Sequence, residues 1–382
     1  MSFDIAMLTS AHAATDDRIF YREAKTLIDA GYSVCVVGRH PQSEVVDGIA
    51  IRALPSTECR LQRMLLGTTV LKVAKQLRAR LYIVHDPELI AVALILRTLG
   101  KEVLYDAHEN LPAQILQKDW LPRVLRWALV PIAACIEYVA AWLLSGVIAA
   151  VPAIQKRFPS SRTELVRNFP TKIALATLQG GLPVTERANV VIYTGGLSRV
   201  RGIHQLVDAF RGLDNAELWL VGNFDDDEFQ RQILSSLPSN VLWLGWRPHP
   251  EVLKLYSLAK LGAILLHPTR NHRCALPVKL FEYMGAGLPL IASDFPEYTD
   301  LVQGCGVQVN PFNVEEVRNT VCTLLADNDW LREMSAQARQ RVLTSFSWEP
   351  EGQRLVRFCE SRMEGRPDSA VALLKPGLSR HS

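Results

Sequence analysis

The sequence predicts an α/β protein made of two Rossmann-like domains that face a cleft, each built on a doubly wound parallel sheet. Its 382 residues are too many for one compact core, so about two domains are expected. Short apolar strands alternate with amphipathic helices along most of the chain. Many of these strands are apolar on both faces, which is typical of parallel strands covered by helices. Ligands of such sheets bind beside the carboxyl ends of the strands, so the loops there are the first places to search.

The first half of the chain begins with a strand at 4–8, a helix at 17–30 and a strand at 33–37. Gly31 follows the helix where a left-handed residue would end it. A further helix is predicted after Pro87, and a long apolar helix before a last strand. The remaining strands are expected at 81–84, 102–105 and 146–150. These elements predict an N-terminal domain over residues 1–168.

The second half is separated from the first by a lapse in the pattern. Residues 169–188 contain proline and glycine pairs that indicate a linker. The alternation then restarts and predicts a C-terminal domain over 189–348, with helices at 228–237 and 314–325. A helix at 349–364 is expected to pack back on the first domain, and 365–382 to form a flexible tail. The strands of the second domain are expected at 190–193, 217–221, 241–244, 263–266, 288–292 and 307–309.

Composition argues against several classes of protein. The 42 basic and 39 acidic residues leave a net charge of +3, too small for a domain that binds nucleic acid. Seven scattered cysteines without metal-binding spacing are typical of reduced thiols in a cytoplasmic protein. The first residues lack the features of a signal peptide, which also favours the cytoplasm.

One apolar segment, 124–151, approaches the length of a membrane span. Arg126, Pro131 and Glu137 interrupt it, and its end resembles a buried strand, so we predict a helix followed by a strand rather than a span. Basic and aromatic residues beside it suit an anionic membrane surface or a polyprenyl-diphosphate acceptor, whereas ordinary helix packing is the alternative. These residues are Lys118, Trp120, Arg123, Arg126 and Trp127. The protein is therefore expected in the cytoplasm, with peripheral contact at the inner face of the membrane.

Two motifs in the second half carry the chemistry of a phosphate site. Residues 195–202 read GGLSRVRG after a predicted strand, where glycines allow close approach of the backbone, a following helix offers N–H groups, and arginines add positive charge. The alternative is an ordinary turn from strand to helix. In residues 275–289, Lys279 and Glu282 are three apart and share one helix face. They offer a cation to phosphate and a carboxylate to ribose hydroxyls, or they form a simple surface ion pair.

Titratable side chains follow two strands of the first half. Residues 85–88 read HDPE and residues 105–109 read YDAHE, which places His85, Asp86, Glu88, Asp106, His108 and Glu109 at strand ends. A histidine there can donate to a sugar hydroxyl or relay its proton, although a structural histidine is the alternative. His108 is the stronger candidate because Asp106 and Glu109 lie close to it in sequence.

These motifs stand in an order that resembles the retaining GT-B glycosyltransferases of family 4, over nearly the whole chain. Two further motifs belong to the likeness, TDDRIF at 15–20 and HDPEL at 85–89. The resemblance implies transfer of a hexosyl or related group from a nucleotide-diphosphate sugar, held by the C-terminal domain, with retention of anomeric configuration. The acceptor, a glycan or a polyprenyl-linked glycan precursor, would be held by the N-terminal domain.

The resemblance also implies roles for particular residues. Arg201 and Lys279 would contact the diphosphate, Glu282 the ribose hydroxyls, and His108 the donor sugar, which makes His108 and Glu282 the candidate catalytic residues. Trp246 and Arg247 would lie against the base. The implied donor-binding set is Gly195, Gly196, Arg199, Arg201, Trp246, Arg247, Cys274, Leu276, Pro277, Lys279 and Glu282. The implied acceptor-side set is His85, Asp86, Glu88, Asp106 and Glu109.

The sequence departs from the family pattern at two positions. Cys274 stands eight residues before Glu282, where many relatives carry a glutamate, and Gly196 replaces a common arginine. A thiol cannot replace the two acceptor oxygens of a carboxylate, so the donor preference stays open. A sugar-nucleotide epimerase of the same fold and a non-catalytic partner subunit are the alternatives. No metal or other cofactor is expected, because the acidic run 225–228 is interpreted as N-terminal helix charge.

Overall fold

The computed structural model describes residues 2–55, 60–116, 121–178 and 180–364, with the side chains of 60–65 and Cys274 left out. Lys118, Trp120 and the predicted tail at 365–382 lie outside the described residues. The chain divides into two compact domains. The first contains the residues up to Val166 and those from Gly352 onward, and the second is Arg167–Glu351.

The first domain is built on one mostly parallel sheet. Its strands lie in the order β3-β4-β2-β1-β5-β6-β7-β8, and only the β3–β4 pair is antiparallel. The predicted strands are confirmed, whereas β3, β4 and β8 were not predicted. The strands are β1 (Ile5–Ala13), β2 (Val34–Arg39), β3 (Glu44–Val46), β4 (Ile49–Leu54), β5 (Leu81–Val84), β6 (Glu102–Ala107), β7 (Gly146–Ala149) and β8 (Thr163–Leu165).

Helices cover this sheet and connect its parallel strands. The predicted helix 17–30 is present but is not α-helical throughout. Its first part, Asp17–Ala24, is a π-helix, and α1 follows it. Gly31 follows it at φ 92°, as predicted for a left-handed end. The predicted apolar helix is α5, and it is followed by the buried strand β7. The helices are α1 (Lys25–Asp29), α2 (Arg60–Leu77), α3 (Ile90–Thr98), α4 (Leu111–Leu116), α5 (Arg123–Leu143) and α6 (Pro152–Gln155).

The second domain has a fully parallel sheet in the order β11-β10-β9-β12-β13-β14, the strand order of a Rossmann fold. Each of its predicted strands is confirmed to within a few residues. Apolar clusters pack on this sheet, one around Tyr193 and one around Tyr283. The strands are β9 (Val190–Thr194), β10 (Glu217–Val221), β11 (Val241–Gly245), β12 (Leu261–Ile264), β13 (Leu290–Ser293) and β14 (Gly306–Val309).

The helices of the second domain follow its strands, and the last helix runs on into the first domain. There Tyr32 donates to Glu360 at 3.0 Å, and Cys359 is buried. The helices are α7 (Lys172–Thr177), α8 (Ile203–Ala209), α9 (Asp227–Leu234), α10 (His249–Tyr256), α11 (Arg270–Cys274), α12 (Val278–Gly285), α13 (Thr299–Val302), α14 (Val314–Ala326), α15 (Asn328–Ser345) and α16 (Trp348–Met363).

The segment predicted as a linker, 169–188, differs from that expectation. It belongs to the second domain and contains α7. Phe169, Leu175, Leu178 and Val184 are buried in the apolar clusters of that domain. These apolar side chains give the segment a packing surface despite its prolines and glycines.

Candidate functional sites

Each sheet has one point at which the chain order reverses between neighbouring parallel strands. In the first domain this point lies between β1 and β5, and in the second between β9 and β12. Loops that leave the carboxyl ends of such strands diverge to opposite faces of the sheet and open a crevice for ligands. The polar motifs of the sequence follow β5, β6 and β9, so the fold brings them to these two places.

Asp106, near the end of β6, is the centre of a buried polar cluster in the first domain. The Arg18 guanidinium donates to both carboxylate oxygens, from Nε at 3.0 Å and from Nη2 at 2.8 Å. His85 Nδ1 and His108 Nδ1 both contact Oδ2, at 3.0 and 3.1 Å. Three predicted residues, His85, Asp106 and His108, therefore lie in contact. Their shared carboxylate is bound by Arg18, to which the sequence analysis gave no role.

Glu23 adds a second buried carboxylate to this cluster. Its Oε1 lies 2.9 Å from Arg18 Nε, and its Oε2 lies 3.9 Å from His85 Nε2. The π-helical turn at Asp17–Ala24 explains this placement, because i to i+5 bonding brings residues five apart onto one face. Arg18 and Glu23 are five apart, so one helical segment supplies both members of the pair.

The charges in the cluster shift one another's ionisation. Burial alone would raise the pKa of Asp106, but Arg18 and the hydrogen bonds from His108 and His85 hold it well below its usual range. Burial and the charge of Asp106 raise the pKa of Glu23 to about 7. Burial opposes protonation of His108, yet the hydrogen bond to Asp106 raises its pKa to about 9. At neutral pH, His108 is therefore protonated beside an ionised Asp106.

Asp86 organises the second half of β1. Its Oδ2 accepts hydrogen bonds from the Thr9 hydroxyl at 2.8 Å and from the N–H groups of Ser10 and Ala11 at 2.6 and 3.0 Å. Burial alone would raise the pKa of Asp86, but the N–H of Ala11 and the other contacts lower it. The Ser10 hydroxyl also donates to Glu88 at 2.8 Å. Both predicted acidic residues of the HDPE motif thus fix this part of β1.

The distances in the cluster would also permit a metal ion. Ligand atoms of His85, Asp106 and His108 all lie within 4.8 Å of one another. However, both oxygens of Asp106 already accept from Arg18, so a guanidinium cation stands where a metal would need an open carboxylate. The donor set therefore fits a metal poorly, and the absence of a cofactor stays a prediction.

The glycine turn after β9 forms a cradle for positive side chains. Gly195 has φ 111°, and a Cβ there would lie 3.2 Å from Lys279 Nζ and 3.4 Å from Arg201 Nη1. A Cβ at Gly196 would also lie 3.4 Å from Arg201 Nη1. The prediction that residues 195–202 follow a strand and open a helix is confirmed, because they lie between β9 and α8. Within them, Arg199–Arg201 form a short 3₁₀ turn.

Lys279 is an ammonium group with few polar partners. Its Nζ donates to the Thr194 carbonyl and lies 4.0 Å above the centre of the Tyr193 ring. Burial and the neighbouring Arg201 lower the pKa of Lys279 to about 7, although Glu282 opposes the shift. An anion placed between the two cations would restore the charge of the lysine.

Glu282 lies one helical turn beyond Lys279 on α12, and both of its oxygens are engaged. Oε1 is 2.9 Å from His249 Nε2, and Oε2 accepts from the Tyr256 hydroxyl at 3.1 Å. Tyr256 in turn contacts the Thr194 hydroxyl at 2.8 Å. Glu282 is thus held beside the same strand end as Lys279, and the carboxylate remains partly accessible.

The second domain matches a known family. Residues 188–327 match the family model described as glycosyl transferases group 1. The second domain is a group 1 glycosyltransferase domain. The curated lipopolysaccharide 1,2-N-acetylglucosaminetransferase of Salmonella typhimurium is 25% identical over 194 residues, which are 46% of this chain and 49% of that protein. The match therefore spans about half the length of this relative.

Solved structures extend the likeness to both domains. Sucrose-phosphate synthase from Thermosynechococcus elongatus superposes with a TM-score of 0.72 and 20% identity, over 95% of this chain and 99% of that one. Anabaena HepE in complex with UDP gives a TM-score of 0.70 and 18% identity, over 94% and 100%. The chain thus has the predicted GT-B fold. Together with the family-model match and the curated relative, this confirms the resemblance to GT-B glycosyltransferases.

Most of the remaining predicted site residues are exposed or partly exposed. Arg199 stacks on Phe229 of α9, with its guanidinium 4.6 Å from the ring centre. Trp246 and Arg247 follow β11 and are exposed, and Arg247 lies 4.0 Å from Glu251. Leu276 is partly buried, Pro277 precedes α12, and Glu109 is exposed. The side chain of Cys274 lies outside the described residues.

Several residues of the two sites were missed by sequence reasoning. Glu23 gave no signal, because its contact with Arg18 depends on a π-helical turn. His12 stands four residues beyond the first predicted strand, and that position near a strand end could have identified it. In the group 1 domain, Tyr256 and His249 were missed because α10 is distant in sequence from the Glu282 that they hold.

Proposed function

We propose that the chain is a retaining glycosyltransferase that moves a hexosyl or related group from a nucleotide-diphosphate sugar to an acceptor. The observation that carries this proposal is the convergence of Lys279 and Arg201 on the Gly195–Gly196 turn, at the switch point of the second sheet. The curated relative is named for transfer of N-acetylglucosamine, and the Anabaena protein was solved with UDP. Both names support a nucleotide-sugar donor.

The chemistry of the reaction matches the charges of this turn. The bond from the anomeric carbon to the phosphate oxygen breaks, and negative charge develops on the departing nucleoside diphosphate. Arg201, and Lys279 once the bound diphosphate has recharged it, supply positive charge where that negative charge grows, which lowers the barrier. Glu282 offers carboxylate oxygens for the ribose hydroxyls. Arg201 also lies beside Gly196, so it supplies positive charge at the position where related enzymes carry an arginine.

The first domain supplies groups suited to sugar hydroxyls. His108 is protonated and partly accessible, so it can donate to a hydroxyl. Asp86 and Glu88 hold the neighbouring second half of β1 in place. We assign the acceptor, a glycan or polyprenyl-linked precursor, to this domain.

Donor binding is tested by thermal stabilisation with UDP-, GDP- and ADP-sugars, since a ligand of the native state raises Tm. One of these nucleotides should raise Tm. Arg201→Ala and Glu282→Ala should weaken its binding about tenfold each, the loss of one charged hydrogen bond. His108→Ala should slow turnover with less effect on the nucleotide. Arg211→Ala is the matched control, because Arg211 is an exposed arginine of the same domain that pairs with Asp208.

Other outcomes would separate the alternatives. If no sugar nucleotide raises Tm, the chain is a partner subunit and the proposal is wrong. Release of a 2-epimerised sugar without an acceptor would identify an epimerase. Inversion of the anomeric centre in the product would overturn the retaining mechanism alone.

We further propose that helix α5 attaches the protein to the inner face of a membrane. This helix is long and apolar enough to cross a bilayer, yet only 17% of its most apolar window is buried. Trp127 is 65% exposed. We call its exposed apolar side chains the α5 face. They are Val124, Leu125, Trp127, Ile132, Ile136, Tyr138, Val139, Trp142 and Leu143.

The helix is tied to its domain and so should lie on the membrane rather than cross it. Glu137 is fully buried, accepts from the Tyr105 hydroxyl at 2.9 Å and pairs with Arg157. Ala140 and Ala141 are buried against the domain. Crossing would pull the Glu137 carboxylate away from these partners into hydrocarbon, at a cost of several kcal/mol.

The charges around the α5 face favour anionic lipid over a second copy of the chain. Arg123 and Arg126 lie at the start of the helix, and Arg162 lies 5.5 Å from the Trp142 ring near its end. Within α5 itself, the acidic residue is the buried Glu137. An antiparallel pair of such helices would bring arginines together, whereas anionic head groups neutralise them.

Membrane binding is tested by flotation of the full chain with phosphatidylglycerol and with phosphatidylcholine vesicles. The protein should float with the anionic vesicles, and Ile132→Glu with Ile136→Glu should reduce this binding by about tenfold or more. Ile173→Glu is the matched control, because Ile173 is an equally apolar exposed residue of the second domain. Equal binding by all variants, or a dimer in place of vesicle binding, would contradict the proposal.

A further inference from the structure

The rings of His12 and His108 meet at the switch point of the first sheet. Their Nε2 atoms are 3.2 Å apart, and the ring centres are 5.0 Å apart with an angle of 63° between the planes. Two imidazole nitrogens at this distance are bonded only if one carries a hydrogen and the other a lone pair. One of the two Nε2 atoms therefore donates a hydrogen to the other.

The neighbours of His108 decide the direction of this bond. Its Nδ1 faces the Asp106 carboxylate, which only accepts, so Nδ1 carries a hydrogen. Asp106 also keeps the His108 ring protonated at neutral pH, so Nε2 carries a hydrogen as well. His12 Nε2 is then the acceptor, and the hydrogen of a neutral His12 lies on Nδ1, 3.7 Å from Asp16 Oδ2.

Charged groups lie on three sides of His12. Asp86 Oδ1 lies 3.4 Å from its Nε2, Asp16 lies beside its Nδ1, and His108 stands opposite. His12 is 29% exposed, whereas His85, which contacts the same Asp106, is fully buried. A ligand can therefore reach the His12–His108 pair but not His85.

We propose that His12 is a further substrate-positioning residue, and that His12 and His108 together bind one sugar hydroxyl. A hydroxyl both donates and accepts, so it matches an N–H and a lone pair presented side by side. The hydroxyl replaces the hydrogen bond between the two rings, which move apart to admit it: it accepts from His108 Nε2 and donates to His12 Nε2. This inference rests on the proposed function, because it assigns a sugar hydroxyl to the first domain.

Two replacements of His12 test separately the hydrogen-bond acceptor and the ring of this side chain. His12→Gln keeps an acceptor near the Nε2 position, whereas His12→Phe keeps a ring without one. In steady-state assays, His12→Phe should lower kcat/KM about tenfold or more, and His12→Gln should retain most of it. His40→Gln is the matched control, since His40 pairs with Glu44 elsewhere in the first domain. A KM change for the acceptor alone would assign the hydroxyl to the acceptor, and one for the sugar nucleotide alone would assign it to the donor sugar.

Rescue by glutamine adds a readout that a structural role would not move. His12→Gln should restore the activity that His12→Phe loses, whereas a purely structural role would not be rescued by an acceptor. Wild-type kcat/KM in His12→Phe, or equal losses in both variants, would overturn the inference.

Nitrogen NMR on ¹⁵N-histidine protein tests the pair without any substrate. Loss of the His12 acceptor in His12→Phe should lower the pKa of His108 by about half a pH unit or more, the equivalent of one hydrogen bond. An unchanged His108 titration would overturn the inference even if sugar transfer is found. If the titration moves but no sugar is transferred, the pair is real, and both the proposed function and its hydroxyl ligand are wrong.

Discussion

Replacing Arg18 with methionine should destabilise the first domain by about 3–5 kcal/mol, because the change leaves two buried carboxyl groups, those of Asp106 and Glu23, without their cation. Asp106 would lose both hydrogen bonds from the guanidinium, and Glu23 would lose its ion pair. Calorimetry of the full chain should show the transition of this domain about 10 °C lower. The expected loss is large because all three side chains are almost completely buried.

Two control variants test whether charge is the cause. Arg80→Met removes an exposed pair with Asp4, so it should cost less than about 1 kcal/mol. Adding Glu23→Gln to Arg18→Met should recover part of the stability at alkaline pH, where Glu23 would otherwise ionise beside Asp106 without its cation. If Arg18→Met is as stable as Arg80→Met, the cluster does not depend on the arginine.

The effect of replacing Glu23 on the stability of the first domain should depend on pH. The pKa of Glu23 is raised to about 7 from 4.5, so the folded state favours the neutral carboxyl. The stability that this preference contributes is present at low pH and is lost as pH rises from about 4.5 to 7. Glu23→Gln in the wild-type background should therefore help more at pH 8 than at pH 5. The opposite trend would mean that Glu23 is ionised and well paired.

The strands of the fold could be predicted where they are buried on both faces. The run at 217–221 coincides with β10 because continuous apolar residues distinguish a central parallel strand. The pair β3 and β4 could not be predicted in this way. Glu44–Val46 is a short, partly exposed edge strand, so its side chains follow neither pattern.

The sites could be predicted in part, by a rule about strand ends. His85, Asp106 and His108 follow neighbouring strands, and the rule correctly brought them together. Arg18 and Glu23 could not be placed, since their pairing depends on a π-helical turn that spacing in sequence does not show. The meeting of Lys279 and Arg201 depends on α12 and the 3₁₀ turn lying beside one glycine turn. That requires tertiary packing, which residue spacing does not encode.

Replacing Lys279 with methionine should weaken UDP binding 10- to 100-fold, the worth of about one hydrogen bond between charged groups. The same change should remove a characteristic pH dependence. With its pKa lowered to about 7, Lys279 is mostly neutral at pH 8, and the diphosphate must recharge it. Affinity of the wild type should then fall about 50-fold between pH 7 and pH 9, where UDP itself is fully ionised. Titration calorimetry in the full chain measures both effects.

Proton uptake identifies the lysine as the group responsible. Binding at pH 8 should take up about 0.9 proton, seen as heats that vary with the ionisation enthalpy of the buffer. Lys279→Met should bind UDP without this uptake. Lys260→Met is the matched control, because burial also lowers the pKa of Lys260, but that side chain pairs with Asn189 before β12, at the opposite end of the sheet. If uptake persists in Lys279→Met, another group receives the proton, and the phosphate is not held at the Gly195 turn.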